Sequence, residues 1–128
     1  MIGRLSRAIL AYLVPTFALG FVWHLVLFKS YYEALAIYRS DVIIPFGFLS
    51  MLIQAVLFAW IYEHAFAGKR SATSYAVYGA LLSWSFTTLA VAAKNVMTSV
   101  PTYMVLETGF TVLQFLIVGP LIALAYRD

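Results

Sequence analysis

The reading turns on residues 90–114, AVAAKNVMTSVPTYMVLETGFTVLQ, where two apolar segments adjoin and each carries a charge, Lys94 in the first and Glu107 in the second. Only Thr98, Ser99, Val100 and Pro101 stand between them to reverse the chain. A tight helical hairpin places the two charges at similar depth, where each satisfies the other. Ionisable groups inside membrane helices are rare and face the bundle interior or a water-filled cavity, so this stretch marks the expected functional centre.

Outward from it, composition sets the class. Of 128 residues, 64% are hydrophobic and 10% charged, and the mean hydropathy is +0.94. A soluble domain averages roughly half apolar and a quarter charged residues. A globule this small cannot hide several apolar runs of such length, so the chain reads as an integral membrane protein. There is no cysteine, hence no disulfide, thiolate nucleophile or Cys-ligated metal. The net charge of +3 is scattered over loops and ends without a basic run, which excludes a nucleic-acid surface and fits membrane orientation.

Four spans follow, each near the 20 or so residues that cross about 30 Å of hydrocarbon: about 8–29, 42–62, 74–97 and 102–126. Residues 1–7 form a short basic head. The first run is too long for a signal-peptide core and is followed by no small-x-small cleavage site, so it reads as a retained helix. Tyr31–Asp41 reads as a short amphipathic turn at the interface, and Glu63–Thr73 as a loop. Pro45 fits a first helical turn, and Gly119-Pro120 predicts a kink in the fourth helix. The expectation is a single domain over 1–128, all-α: an antiparallel bundle of four transmembrane helices.

Orientation comes from the basic residues. Arg4, Arg7, Lys69, Arg70 and Arg127 fall on one side, against Lys29, Arg39 and Lys94 on the other, which puts both termini in the cytoplasm (N-in, C-in). Tyr31, Tyr32, Tyr38 and Tyr103 read as one interfacial belt, and Trp60, Tyr62, Tyr75 and Tyr126 as the other.

Each helix also carries a small-or-polar stripe at helical spacing: Thr16, Gly20 and His24; Gly47, Ser50 and Gln54; Ser83, Thr87, Ala90, Lys94 and Thr98; Glu107, Thr111 and Gln114. In lipid such stripes turn inward, and packing alone accounts for most of the Ser, Thr and Gly positions. The stronger polar groups sort by depth. His24, Lys94 and Glu107 converge below the outer surface with Glu33 and Asn95, while Gln54 and Gln114 lie near the midplane. Such a cluster can bind an anionic or amphiphilic headgroup, relay a proton, or lock helices together.

Familiar chemistries fail on spacing. His24 and His64, the two histidines, fall near opposite membrane faces, on the order of 20 Å apart by helical rise, and cannot share a haem or metal. Glu33 with Glu107 is the one candidate carboxylate pair. No nucleophile elbow occurs, and Gly68-Lys69-Arg70-Ser71 lacks the glycine spacing of a phosphate loop. No cofactor or metal is expected, and the enzyme class ranks third.

Small multidrug resistance transporters also have four spans, but they carry an essential glutamate in the first helix, where this chain has His24 and no acid. Val22-Trp23-His24-Leu25-Val26-Leu27-Phe28-Lys29, Ile43-Ile44-Pro45, Trp84 to Lys94, and Pro101-Thr102 through Leu106-Glu107-Thr108 to Gln114-Phe115 resemble small bacterial four-helix integral membrane proteins of unknown function. The resemblance covers nearly the whole chain and implies four spans in a bacterial inner membrane, with no activity to transfer. The functional expectation is a non-catalytic protein that binds a lipidic ligand or serves a larger membrane complex. A small dimeric transporter or proton-coupled carrier is the alternative, distinguished by a water-accessible cavity reaching Gln54 and Gln114 in a homodimer.

Overall fold

The computed structural model describes residues 2–37, 43–66 and 71–127, apart from the side chains of Ile2 and Ser71. All regular structure among them is helical: α1 (Ile2–Val22), α2 (Lys29–Leu35), α3 (Ile44–Ile61), α4 (Ser71–Trp84), α5 (Ala90–Lys94) and α6 (Val100–Ala125). Single π-helical stretches, Trp23–Leu27, Tyr62–Phe66 and Ser85–Leu89, extend α1 and α3 and join α4 to α5. The result is four helices long and apolar enough to cross a membrane, Gly3–Leu27, Ile44–Phe66, Ala72–Lys94 and Val100–Ala125.

Several local expectations change. The basic head is helical from Ile2, and the Arg7 guanidinium binds the far end of the chain, donating to the Ala125 carbonyl through Nη2 at 2.9 Å and Nε at 3.2 Å. A helix C-terminus leaves carbonyls without intrahelical donors, and a guanidinium supplies them. The segment expected as an interfacial turn contains α2, capped at Ala36, which sits in the left-handed region at φ 60°. Tyr38, Arg39 and Asp41 of that segment lie outside the described residues, as do Gly68, Lys69 and Arg70. α6 continues through Pro120 to Ala125.

α6 is the central helix. Of its most apolar stretch, 39% is buried, against 11–17% for the other three spans. α1 packs along α6 and α3, and α4 packs along α6. The α4–α6 contact rests on close approach at two glycines. A Cβ on Gly79 would lie 2.6 Å from Phe115 Cε1, and one on Gly119 would lie 3.0 Å from Ala76 Cβ and 3.2 Å from the Ala72 carbonyl oxygen. Small residues that let backbones approach are the main packing device where lipid removes the hydrophobic drive between helices.

One core cluster gathers Ala8, Tyr12, Ala55, Ala59, Tyr62, Tyr75, Phe115, Val118 and Ile122, and a smaller one gathers Tyr32, Leu35, Tyr103 and Leu106. Four tyrosines expected in the interfacial belts, Tyr32, Tyr62, Tyr75 and Tyr103, are therefore buried between helices, whereas Tyr31 and Trp60 are exposed. Their burial has a polar cause for two of them. Tyr32 donates to Glu107 and Tyr103 to the Thr87 carbonyl, partners that lie on other elements.

The packing is uneven along α3. Ala55 and Ala59 are buried, yet every residue from Ile43 to Ser50 is exposed. α3 and α4 meet chiefly where Phe58, Tyr62 and Phe66 close on Tyr75. Away from that end the two helices leave a space between them.

Candidate functional site

Glu107 lies on the buried face of α6, 4% exposed, and its Oε1 atom is the focus of a polar cluster. The Tyr32 hydroxyl donates to it at 2.7 Å from α2, and His24 Nε2 lies 2.7 Å away on the π turn after α1. Trp23 Nε1 in turn donates to the Tyr32 hydroxyl at 3.2 Å. π turns inserted in α-helices often sit at functional sites, because they displace side chains from the regular helical course.

Hydrogen-bond roles set the proton count. His24 Nδ1 lies 3.0 Å from the Gly20 carbonyl oxygen, which can only accept, so Nδ1 carries a proton. The contact between Nε2 and Oε1 needs a second proton between the two atoms. With that proton the pair has no net charge, whichever atom holds it. A neutral pair explains how a carboxyl group can lie so deep in an apolar chain.

Lys94 is not the partner of Glu107. It is exposed and forms no ion pair among the described residues. The physical reason lies in the connection. α5 ends at Lys94, and Asn95 is extended at φ −100° and ψ 142°. Thr98 then docks on α2, with its amide donating to the Leu35 carbonyl at 3.2 Å and its hydroxyl to the Ala34 carbonyl at 2.7 Å. Ser99 caps α6, accepting from the Thr102 amide at 3.3 Å. The turn is thus drawn toward α2, and Lys94 reaches the surface.

A cavity of about 680 Å³ adjoins this cluster. Five of the seven candidate residues line it: His24, Gln54, Asn95, Glu107 and Gln114. Glu33 and Lys94 do not, and both are exposed. Glu33 therefore does not pair with Glu107, and no carboxylate dyad forms among the described residues. The stripes supply much of the remaining polar wall through Thr16, Ser50, Ser83 and Thr87, and Gly20 and Gly47 keep it open. The apolar wall includes Phe17, Phe21, Phe48, Phe86 and Phe110. Because Ile43–Ser50 do not pack on α4, the cavity is open on the side between α3 and α4.

Deeper in the chain a second polar group closes its floor. Gln114 Nε2 donates to Thr16 Oγ1 at 3.0 Å and to the Tyr12 hydroxyl at 3.2 Å, and that hydroxyl donates to Gln54 Oε1 at 3.2 Å. Tyr12 and Tyr32 are the polar residues that sequence reasoning missed. The signal for Tyr12 was present: it precedes Thr16 by one turn and extends the α1 stripe. Nothing comparable marked Tyr32, which stood in a segment read as interfacial. Among the described residues, no three His, Cys, Asp or Glu side chains come together to hold a metal ion.

Comparison with protein-family models, with curated proteins and with solved structures finds no match to the chain. The functional reading therefore rests on the cavity and its polar groups.

Proposed function

We propose that this is a non-catalytic membrane protein that holds a lipidic ligand in the cavity between α1, α3, α4 and α6. In this reading the chain is an antiparallel four-span bundle in a bacterial inner membrane, with both termini cytoplasmic. The observation that carries it is the form of the cavity: aromatic walls, a short polar strip, and an opening between two membrane-length helices. Its volume lies within the roughly 300–1,000 Å³ typical of small-molecule sites. A ligand could enter from the bilayer through that opening without crossing water.

A second reading is favoured by one observation. The cavity reaches both Gln54 and Gln114, and the hydrogen-bonded His24–Glu107 pair lies beside it, two groups of the kind a proton-coupled carrier requires. A carrier must also expose the site alternately to two sides, which four short helices would achieve as a dimer. Service as an accessory subunit of a larger membrane complex stands beside the lipid-binding reading.

The test is extraction into native-lipid nanodiscs followed by mass spectrometry under non-denaturing conditions. One amphiphile retained per chain after exhaustive exchange supports the lipid-binding reading. Gly47→Phe should abolish retention while leaving the fold intact, since a Cβ at Gly47 meets nothing within 4 Å and Gly47 lines the cavity. Retention unchanged by Gly47→Phe would refute the cavity as the site. Dimeric protein that accumulates substrate in proteoliposomes only with an imposed proton gradient would decide for the carrier.

A further inference from the structure

Resting on the reading that the cavity holds an amphiphile, we infer that the head of its ligand is a hydrogen-bond donor with positive charge, a primary alkylammonium, seated on Glu107. The notable atom is Glu107 Oε2. Both hydrogen bonds of this carboxyl group fall on Oε1, one shared with His24 and one accepted from Tyr32, and Oε2 accepts none among the described residues. Neither is it sealed in protein, since the only fully buried polar side-chain atom without a partner among the described residues is the Tyr75 hydroxyl. Glu107 lines the cavity, and Oε2 is the carboxyl oxygen it has left to offer there.

The role of Oε2 does not depend on where the shared proton sits. With the proton on His24, Oε2 is one oxygen of a carboxylate. With the proton on Oε1, it is the carbonyl oxygen of a carboxylic acid. It accepts in both cases. Gln114, two turns further along the same face of α6, repeats the arrangement. Its Nε2 is engaged by Tyr12 and Thr16, while its Oε1 accepts no hydrogen bond among the described residues, and Gln114 also lines the cavity. The α6 wall therefore presents two acceptors, about 10 Å apart by the helical rise.

The balance of donors and acceptors points the same way. No lysine or arginine lines the cavity among the described residues, and His24 has Nδ1 committed to Gly20 and Nε2 to Glu107. Among the described residues, an anionic head would meet acceptor oxygens and no lysine or arginine to offset them, where little water screens charge. An ammonium group donates to Oε2 and gains the extra strength of a charge-assisted bond. Its alkyl chain lies among Phe17, Phe48 and Phe86 toward the opening between α3 and α4. This narrows the anionic or amphiphilic headgroup considered from the sequence to a cationic amphiphile.

The experiment compares four probes of equal chain length on the unaltered protein in nanodiscs: dodecylammonium, dodecyltrimethylammonium, dodecanol and dodecanoate. Binding is measured by calorimetry at pH 7, with empty nanodiscs subtracted. Dodecylammonium should bind about ten- to a hundred-fold tighter than dodecanoate, the range expected for one charge-assisted hydrogen bond. Dodecyltrimethylammonium should fall well below dodecylammonium, because it carries the charge without a donor. Equal binding of all four would overturn the head assignment and leave the lipid cavity standing. Preference for dodecanoate would also overturn it. No protein-dependent binding of any probe would remove the cavity reading and the inference together. The ranking needs no variant. Glu107→Gln, wherever it folds, should abolish the preference for dodecylammonium over dodecanol, and survival of that preference would place the head elsewhere.

Discussion

His24 Nε2 and Glu107 Oε1 meet at 2.7 Å although 83 residues separate them in the chain, and this contact ties the π turn after α1 to the second turn of α6. Removing one partner of a buried pair leaves the other polar and unsatisfied, at a cost of about 3 kcal/mol, whereas removing both costs less than the sum. His24→Leu and Glu107→Leu should each lower stability in mild detergent strongly. The double variant should show a coupling energy between about 1 and 3 kcal/mol. The parallel cycle with Lys94→Ala and Glu107→Leu should give no coupling, and Lys94→Ala alone should stay within about 0.5 kcal/mol of the parent chain. Reversible unfolding of all six proteins measures both cycles. Coupling to Lys94 in place of His24 would reverse the assignment.

The glycines divide into two kinds. Gly79→Ala and Gly119→Ala insert a methyl group where Phe115 and the Ala72–Ala76 backbone already stand, and each should destabilise by about 1–3 kcal/mol. Gly3→Ala and Gly47→Ala meet nothing within 4 Å and should leave stability unchanged or raise it by up to about 1 kcal/mol through helix propensity. Thermal unfolding of the four variants checks the contrast. A neutral Gly79→Ala would mean that α4 and α6 do not approach so closely.

Two tyrosine hydroxyls should respond with opposite sign. The Tyr75 hydroxyl is buried with no hydrogen-bond partner among the described residues, so Tyr75→Phe removes an unsatisfied group and should stabilise by about 1 kcal/mol. The Tyr126 hydroxyl donates to the Ala59 carbonyl at 2.8 Å, and Tyr126→Phe should cost about 1 kcal/mol. The same loss in both variants would show that Tyr75 has an acceptor after all.

The proposed orientation makes its own demand. Reporters fused at Gly68 and at Asp128 should both read cytoplasmic, and one inserted near Arg39 should read external, as the distribution of Lys and Arg requires. Gly68 and Asp128 on opposite sides would refute an even number of spans between them.

What sequence could and could not show follows from the range of the forces involved. The four long helices were legible because the span length is imposed by lipid and repeats in each run. Their ends were less so: Arg4 and Arg7 looked like a solvated head, yet Arg7 belongs to α1 and caps a carbonyl 118 residues away. The inward stripes were legible, and Gln54, Glu107 and Gln114 do line one cavity with His24. The partner of Glu107 was not. Sequence labels Lys94 as a cation, whereas the proton that lets His24 serve comes from its place between Gly20 and Glu107. The burial of the tyrosines was hidden for a related reason. Hydropathy gives the same value to a Tyr at the membrane rim and to Tyr32, whose acceptor stands 75 residues further along.

The docking of Thr98 on the last carbonyls of α2 has an engineering consequence. Its hydrogen bonds reach the main chain of Ala34 and Leu35, so the hold on α2 is indifferent to the side chains the helix displays. Tyr32 and Leu35 face inward, while Ser30, Tyr31, Glu33 and Ala34 are exposed. Those four positions form a stage on which residues can be exchanged freely while the stage itself stays in place. A cysteine introduced at Ser30 or Ala34, in a chain that has none of its own, would carry a spin label at a fixed height beside the Tyr32–Glu107 contact.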